Sequence, residues 1–367
     1  MTDEKYMELA LRLAKKGRGF ANPNPMVGAV VVKKGRIIGR GYHHSYGEAH
    51  AERDALRRCT ESPEGATLYV TLEPCCHYGK TPPCTEAIIE SGISRVVIGT
   101  GDPNPKVSGG GVRALRESGI EVQEGVLEEE CEKLNEVFFH FVRTGTPFVT
   151  MKYAMTMDGK IASGAGISKW ITSERARARV HYDRHVNMAV MTGIGTVLAD
   201  DPALTCHAEG LRDPVRVICD TNPRTPLESQ IVRTAKLFPV ILATGVDDEA
   251  RIAPYRERGC RVMSLPSANG KICLKALLAA LGEEKIDSVL LEGGSALNWE
   301  ALEAGVVDRI QAYIAPKLLG GAAAPGPIGG EGFVSPQTAC RLERVSVTSI
   351  GTDFLLEGDV VHVHGDH

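Results

Sequence analysis

Three residues suited to holding a metal ion lie in one short stretch: His50, Cys75 and Cys84. A carboxylate, Glu52, stands two positions after the histidine. One imidazole and two thiolates fill three tetrahedral positions of Zn²⁺ and leave a fourth for water, whose pKa falls towards neutrality. Glu52 need not bind the metal, so it can take that water's proton and hand it to a departing nitrogen. The chemistry is hydrolytic removal of an amino group from an electron-poor carbon. The plain alternative is that these are ordinary core or surface residues, since free cysteines often behave as buried small hydrophobes and the chain has ten. His-x-Glu upstream, and Leu72-Glu73-Pro74 directly before the first cysteine, favour the metal. A structural Cys₃His knot built with Cys76 or His77 would leave Glu52 without a task.

The elements around these residues read as alternating helices and strands. Helical spacing of apolar residues runs over 6–14; Gly17 and Gly19 end it, and Pro23 and Pro25 keep the next segment extended. An apolar strand over 27–32, a turn at 33–36 and a returning strand from 37 make a hairpin that leads to His43. Residues 50–58 and 84–90 read as helices, 66–72 and 96–98 as strands. His50 and Cys84 therefore stand at helix N-termini, where backbone N–H groups favour thiolate over thiol. A further helix over 111–118, a strand over 120–122 and one polar helix over 128–143 close a first domain. Thr144-Gly145-Thr146-Pro147 reads as the boundary, giving domains of 1–145 and 146–367.

The second domain restarts with a strand over 148–154. Later strands fall at 188–191, 215–219, 240–243, 288–291 and 307–315, with helices at 173–183, 272–281 and 296–303, and alternation around 354–356. Strand–helix repeats of this kind build an α/β domain with crossover units. Gly193-Ile194-Gly195 after an apolar strand opens like a dinucleotide fingerprint, but Leu198 holds the last glycine position of G-x-G-x-x-G. Strand 289–291 running into Glu292-Gly293-Gly294-Ser295 and a helix is the better phosphate site. Small residues there let a diphosphate reach the amides. A plain structural turn is the competing reading. His362, His364 and His367 form a terminal cluster that reads as a frayed tail.

The bulk properties exclude some classes. At 367 residues and 39.4 kDa the chain suits two cores rather than one. Its 43% hydrophobic and 24% charged residues are globular composition. A net charge of −4 and a pI near 6.3 give no surplus for a polyanion, so no nucleic-acid partner is expected. Residues 1–20 lack a signal-peptide apolar core and no apolar run of roughly 18 residues follows, so no membrane is expected. Scattered cysteines fit a reducing cytoplasm better than a disulfide framework. Base rates favour a symmetric homo-oligomer.

Three blocks of the first half carry a family resemblance: Asn22-Pro23-Asn24-Pro25-Met26-Val27-Gly28, Gly47-Glu48-Ala49-His50-Ala51-Glu52, and Thr71 through Cys84. The pattern H-x-E…P-C-x8-C is similar to the zinc deaminase signature. In the second half Thr156-Met157-Asp158-Gly159-Lys160, Trp170-Ile171-Thr172, Gly193 through Pro202 and Glu292-Gly293-Gly294 match as well. Together the chain resembles the bifunctional diaminohydroxyphosphoribosylaminopyrimidine deaminase / 5-amino-6-(5-phosphoribosylamino)uracil reductases of riboflavin biosynthesis. The resemblance implies a cytidine-deaminase-like α/β/α sandwich followed by a dihydrofolate-reductase-like α/β domain. It also implies loss of the 2-amino group of a pyrimidinone ribosyl phosphate as ammonia, then NADPH-dependent reduction of ribosyl to ribityl.

Carried over residue by residue, the resemblance makes His50, Cys75 and Cys84 zinc ligands and Glu52 the proton shuttle. Asn24, His43, Lys80, Asp102 and Asn104 become candidates for the pyrimidine and phosphate site. A turn residue beside proline is the alternative for Asn24 and Asn104, a loop cap for His43, and mere exposure for Lys80. NADPH contacts fall on Ala154, Trp170, Thr196, Asp200, Gly293, Gly294 and Ser295. Substrate contacts fall on Ser168, Arg184, Leu204, His207 and Glu292. Alone, Trp170 reads as core and Arg184 as surface. Lys152, in the opening strand, is the candidate for stabilising charge or orienting the sugar hydroxyls; Asp158 and Glu292 stand behind it.

One departure is visible. After Leu204-Thr205-Cys206 the family commonly has arginine, and this chain has His207. Histidine is shorter and only partly charged near neutrality. Either another arginine, such as Arg212, takes the role, or substrate is held differently. Two competing classes remain: a nucleic-acid deaminase, which the acidic balance and the second domain oppose, and a binding protein with degenerate sites, which the intact Glu52 opposes.

Overall fold

The computed structural model describes residues 1–78, 82–104 and 107–361. The chain divides into two compact units, Met1–Gly145 and Thr146–His367. The first contains α1 (Asp3–Ala14), β1 (Gly28–Lys33), β2 (Arg36–Tyr42), α2 (Ala51–Arg57), β3 (Thr67–Leu72), α3 (Cys84–Glu90), β4 (Arg95–Thr100), α4 (Gly110–Glu117), β5 (Glu121–Gln123), α5 (Glu128–Leu134) and α6 (Glu136–Thr144).

Its strands form one sheet in the order β2-β1-β3-β4-β5. The β1–β2 and β1–β3 pairs are antiparallel, while β3, β4 and β5 run parallel. Side chains alternate between two cores, as the period-2 pleat requires. Ala29, Val31, Leu68, Val70, Val96 and Ile98 join the core that contains Ala51, Ala55, Ile88, Val112 and Leu115 of α2, α3 and α4. Val30, Val32, Tyr69 and Val97 join the core of α1 and α5. Close approach is bought with glycine at Gly28, where a Cβ would stand 2.0 Å from the Ala10 carbonyl oxygen of α1.

The single polar helix expected over 128–143 is two helices. Asn135 separates them with φ −111° and ψ 20°, and its buried amide is spent elsewhere. Its Oδ1 accepts from the Met26 N–H at 2.8 Å and its Nδ2 donates to the Met26 carbonyl at 3.0 Å. A side chain paired with a backbone 109 residues away overrides the local helical pattern.

The second unit contains β6 (Phe148–Thr156), α7 (Glu174–Val186), β7 (Ala189–Gly193), α8 (Ile194–Asp200), β8 (Val215–Cys219), α9 (Gln230–Arg233), β9 (Val240–Thr244), α10 (Glu249–Glu257), β10 (Arg261–Ser264), β11 (Ser267–Ala268), β12 (Lys271–Ile272), α11 (Leu274–Glu283), β13 (Ser288–Leu291), α12 (Ser295–Glu303), β14 (Arg309–Ala315), β15 (Arg341–Ile350) and β16 (Asp353–Val361). The main sheet runs β10-β9-β8-β7-β13-β6-β14-β16-β15. It is parallel through β14 and antiparallel at β16 and β15.

Again one face packs on one set of helices and the other on another. Val149, Met151, Met191, Val217 and Val289 pack with Leu277, Leu278 and Leu281 of α11 and Leu297 and Ala301 of α12. Val190, Ile218, Val240 and Leu242 pack with Val197, Ile231 and Tyr255. The segment read as helix from 272 begins at Leu274, because Lys271 and Ile272 pair with Ser267 and Ala268. Gly193 ends β7 and caps α8, and Gly195 lies in the first turn of that helix. No helix among the described residues is long and apolar enough to cross a membrane.

Candidate active sites

In the first unit the metal-type residues come from three neighbouring segments. His50 is the N-cap of α2, Glu52 lies in that helix's first turn, Cys75 follows β3 and Cys84 opens α3. Gly41 lets α2 lie against the sheet, since a Cβ there would stand 2.2 Å from the Ala55 nitrogen. The His50, Cys75 and Cys84 ligand atoms lie within 4.8 Å of one another. His50 Nδ1 is 3.5 Å from Cys75 Sγ and 3.4 Å from Cys84 Sγ. Ligand bonds of about 2.3 Å to sulfur and about 2.05 Å to nitrogen place tetrahedral N and S ligands about 3.6 Å apart. The three atoms fit zinc.

The two cysteines are pushed in opposite directions: the hydrogen bond to Cys75 and then burial raise Cys84 well above the usual thiol value, while Cys75 is lowered. Hydrogen bonds from the Cys84 thiol, then His50 and the Cys84 backbone N–H at 3.3 Å, hold the Cys75 thiol down at about 4 against the cost of burial. The Cys75 thiolate in turn raises His50. Glu52 is only 3% exposed, and burial raises its carboxyl. A buried carboxyl with a raised pKa is fitted to carry a proton in both directions.

A cavity of about 270 Å³ opens beside these residues, and Asn24, His43, Asp102 and Asn104 line it with His50, Glu52 and Cys75. His43 is buried, and burial lowers its pKa. Its Nδ1 lies 3.1 Å from the Ala49 carbonyl oxygen, so that nitrogen carries the proton. Its Nε2 then accepts from Asn24 Nδ2 at 3.1 Å. Burial pushes Asp102 up to about 6, and its Oδ1 accepts from the Asn104 N–H at 2.8 Å. Lys80 lies outside the described residues.

Glu73 is the residue the sequence reading passed over. It is 4% exposed, and its carboxylate accepts backbone N–H groups of Asp102, Gly109, Gly111 and Val112 at 3.4, 3.0, 2.9 and 3.2 Å. One carboxylate thus ties the strand end before Cys75 to the segment that carries Asp102 and Asn104. His77, Tyr46 and Glu48 also line the cavity. Only the Leu-Glu-Pro-Cys wording hinted at Glu73; its partners are too distant in sequence to be read.

The second unit has its own cavity, of about 540 Å³, at the C-terminal ends of parallel strands. That is the expected place for a ligand in an open α/β sheet. Lys152 of β6, Ala154, Ser168, Trp170, Arg184 of α7, Thr196, Asp200, Leu204, His207, Glu292, Gly293 and Gly294 all line it. Ser295 does not: its hydroxyl donates to the Gly326 carbonyl. Arg212 is not in the lining either, and its backbone N–H is bound to His185 Nδ1 at 2.8 Å.

Lys152, Arg184 and Glu292 form a single ionic group. Arg184 Nε and Nη2 reach the Glu292 oxygens at 2.6 and 3.0 Å, and Lys152 Nζ reaches Oε2 at 3.3 Å. Burial alone would raise Glu292, but the Arg184 and Lys152 charges hold it at about 2. Arg184 is therefore no surface residue, with 13% of its side chain exposed. Trp170 is 64% exposed rather than core, and the Arg177 guanidinium lies 4.5 Å from its ring centroid. Ser168 Oγ donates to Asp200 Oδ1 at 2.8 Å. His207 has φ +49° and sits at the exposed rim.

A sequence profile described as the RibD C-terminal domain matches residues 147–356. Another, the cytidine and deoxycytidylate deaminase zinc-binding region, matches residues 1–100. The riboflavin biosynthesis protein RibD of Actinobacillus pleuropneumoniae is 52% identical over 361 residues, covering 98% of this chain and 96% of that protein. The chain belongs to the RibD family. RibD of Acinetobacter baumannii superposes with a TM-score of 0.88 at 37% identity, over 98% of this chain and 99% of that one. A diaminohydroxyphosphoribosylaminopyrimidine deaminase / 5-amino-6-(5-phosphoribosylamino)uracil reductase from Thermotoga maritima gives 0.85 at 43% identity, over the same shares. As a RibD family member the chain is a bifunctional enzyme of riboflavin biosynthesis, a deaminase and a reductase with Zn²⁺ and NADPH as cofactors.

The second cavity fits a dinucleotide. Gly293 and Gly294 precede α12, and a Cβ on Gly293 would stand 2.6 Å from Asn298 Oδ1. A Cβ on Gly294 would stand 3.4 Å from Thr196 Oγ1 in the first turn of α8. Side chains there would narrow the space in which a diphosphate can meet backbone amides.

Proposed function

We propose that unit Met1–Gly145 deaminates 2,5-diamino-6-(ribosylamino)-4(3H)-pyrimidinone 5′-phosphate, and that unit Thr146–His367 reduces the product to 5-amino-6-(ribitylamino)uracil 5′-phosphate. The observation that carries the first step is the buried Glu52 in contact with Cys84 beside the three zinc-type donors. Bound at His50, Cys75 and Cys84, Zn²⁺ supplies the Lewis acidity that makes hydroxide available at neutral pH. Glu52 accepts the water proton as oxygen bonds to the 2-carbon, then returns it to the amino nitrogen as that C–N bond breaks and ammonia leaves. Asn24 and His43, fixed by their mutual hydrogen bond, position the pyrimidine, with Asp102 and Asn104 on the wall of the same cavity. Lys80 is proposed to meet the phosphate.

For the second step a bound NADPH would supply the hydride that reduces sugar C1′, which becomes electron-poor when the ribosylamine opens to an imine. Opening puts a proton on the ring oxygen, and reduction leaves the nitrogen as an amine, so one NADPH and one proton are consumed. Lys152 stabilises charge and orients the sugar hydroxyls, while Glu292, itself fixed by Arg184, holds its ammonium in the cavity lining. Ala154, Trp170, Thr196, Asp200, Gly293 and Gly294, which line the cavity, would hold the cofactor, and Ser295 would contribute its backbone at the start of α12. Ser168, Arg184, Leu204, His207 and Glu292 face the substrate.

The test supplies the diamino substrate and measures ammonia, then NADPH oxidation. The deaminated compound should oxidise NADPH without releasing ammonia. Ammonia release without subsequent NADPH oxidation would overturn the assignment of the second unit.

A further inference from the structure

Beside the Lys152–Glu292–Arg184 group lies a buried polar layer to which neither activity above gives a task. Tyr313 of β14 is 0% exposed. β14 runs parallel to β6, with Gln311 paired to Lys152 and Tyr313 paired to Ala154. Residues two apart along a strand share a face, so Lys152 and Tyr313 project from the same side of the sheet. Helix α7 covers that side, its Ala176 and Val180 packing with Tyr313 and Leu355. The Lys152 ammonium stands over the Tyr313 ring, 6.0 Å from its centroid.

The far end of the ring is tied to α7. The Tyr313 hydroxyl donates to Asp183 Oδ2, one residue before Arg184 on that helix. Asp183 Oδ1 accepts from Arg179 Nε at 2.8 Å, so both oxygens are acceptors and the side chain is a carboxylate. Burial, then the Asp183 charge, push the Tyr313 hydroxyl far above its ordinary range, so it keeps the proton it donates. Only 6% of the Asp183 side chain is exposed. Burying a carboxylate and a phenol is costly, and an apolar pair of similar volume would avoid the cost. Neither residue lines the cavity. A hydrogen bond to a carboxylate makes the ring richer in electrons, and the ring face is what attracts a cation.

Resting on the reading of Lys152 given above, we infer that Tyr313 is a positioning residue for hydride transfer. Its ring face steadies the Lys152 ammonium against Glu292, and its hydroxyl, locked on Asp183, keeps the ring from turning. The Lys152 hydrogen bond to Glu292 is long, at 3.3 Å, and a lysine stem is flexible. One such contact fixes a distance but not a direction. The ring supplies the second contact. The same side chain reaches α7 one residue before Arg184, the partner that fixes Glu292. One phenol thus keeps the lysine and the carboxylate it pairs with in register.

The test is a double-mutant cycle on the single-turnover rate constant of hydride transfer, in the full zinc-loaded chain with the deaminated substrate and saturating NADPH. A rate constant does not fall when part of a sample is unfolded, whereas an amplitude does. Tyr313→Leu removes the ring and should slow transfer about tenfold while substrate Kd stays within about twofold. Tyr313→Phe keeps the ring and should stay within about threefold of wild type. In a Lys152→Ala background Tyr313→Leu should cause no further slowing, because residues that act as a unit are not additive. A fluorinated phenylalanine in place of Tyr313 keeps the ring's shape and removes its negative face, so it should be slower than Tyr313→Phe. That comparison decides the matter if the leucine variant does not fold. Equal slowing by Tyr313→Leu with and without Lys152 would make Tyr313 a packing residue and overturn the inference. Wild-type transfer in Tyr313→Leu, or equal rates with and without fluorine, would overturn it too. Unchanged transfer in Lys152→Ala alone would instead overturn the reading of Lys152, and the inference with it.

Discussion

Arg184 grips Glu292 through two hydrogen bonds, Nε to Oε1 at 2.6 Å and Nη2 to Oε2 at 3.0 Å. The pair lines the second unit's cavity and is largely buried, so its charge balance bears on stability. Glu292 is held at about 2, below the ordinary carboxylate value of about 4.3. A depressed carboxyl contributes stability that is complete above the unfolded value and is lost as pH falls through the folded one. The window is therefore pH ~4.5 down to ~2, and the contribution is about 3 kcal/mol. Both tryptophans, Trp170 and Trp299, belong to the second unit, so tryptophan fluorescence during denaturant unfolding reports that unit. Glu292→Gln should be less stable at pH 7 by about 3 kcal/mol, because Arg184 loses its partner. It should also lose less stability than wild type on acidification through that window. Equal losses in the two proteins would sink the ion-pair account.

Glu52→Gln keeps the size of the side chain and removes the base. Metal analysis should find full zinc, while ammonia release falls by about 10²-fold or more. Near-wild-type release from a zinc-replete variant would take Glu52 out of the proton transfers.

Removing zinc should separate the two activities. A chelator that strips the His50, Cys75 and Cys84 site should stop ammonia release and leave NADPH oxidation intact when the deaminated substrate is supplied. Parallel loss of both activities at matched zinc content would contradict the assignment of zinc to the first step alone.

Lys152→Ala should slow hydride transfer in single-turnover experiments by about 10²-fold while deamination continues. The Arg184–Glu292 bonds do not involve Lys152, so the fluorescence-detected unfolding should move less than in Glu292→Gln. Unchanged hydride transfer would remove Lys152 from the mechanism without touching the reductase assignment.

Gly28→Ala would place a methyl 2.0 Å from the Ala10 carbonyl oxygen, a backbone atom that cannot simply rotate away. Overpacking of this kind costs about 1–3 kcal/mol. Thermal inactivation of deamination should shift to lower temperature, while the tryptophan transition stays put. A deaminase as heat-resistant as wild type would mean that α1 yields without cost.

Residues whose chemistry depends on short spacing could be read directly. His50 with Glu52, and Cys75 with Cys84, lie on adjoining helix starts and a strand end, and local pattern placed those elements. What escaped was long-range. Nothing near Asn135 announces that its amide will pair with Met26 and split a helix. Periodicity put Asp183 on a helix, yet its meeting with Tyr313 depends on how α7 packs against β14. Arg184 read as surface because no local signal links it to Glu292, 108 residues away. Glu73 sat inside a quoted motif without a role, because its four hydrogen-bond donors come from Asp102 and from around the start of α4.

That Glu73 carboxylate makes the Cys75 segment and the cavity wall that carries Asp102 one mechanical piece. Cys75 cannot shift far without pulling on the strand end that anchors Asp102. Two binding events that share a rigid support can be thermodynamically linked, and linkage is reciprocal. Whatever zinc does to order the wall that meets the pyrimidine, the pyrimidine must do in return for zinc. If zinc tightens the hold of that wall on the pyrimidine, a filled deaminase cavity should bind its metal more tightly than an empty one, which makes substrate a guardian of the cofactor that acts on it.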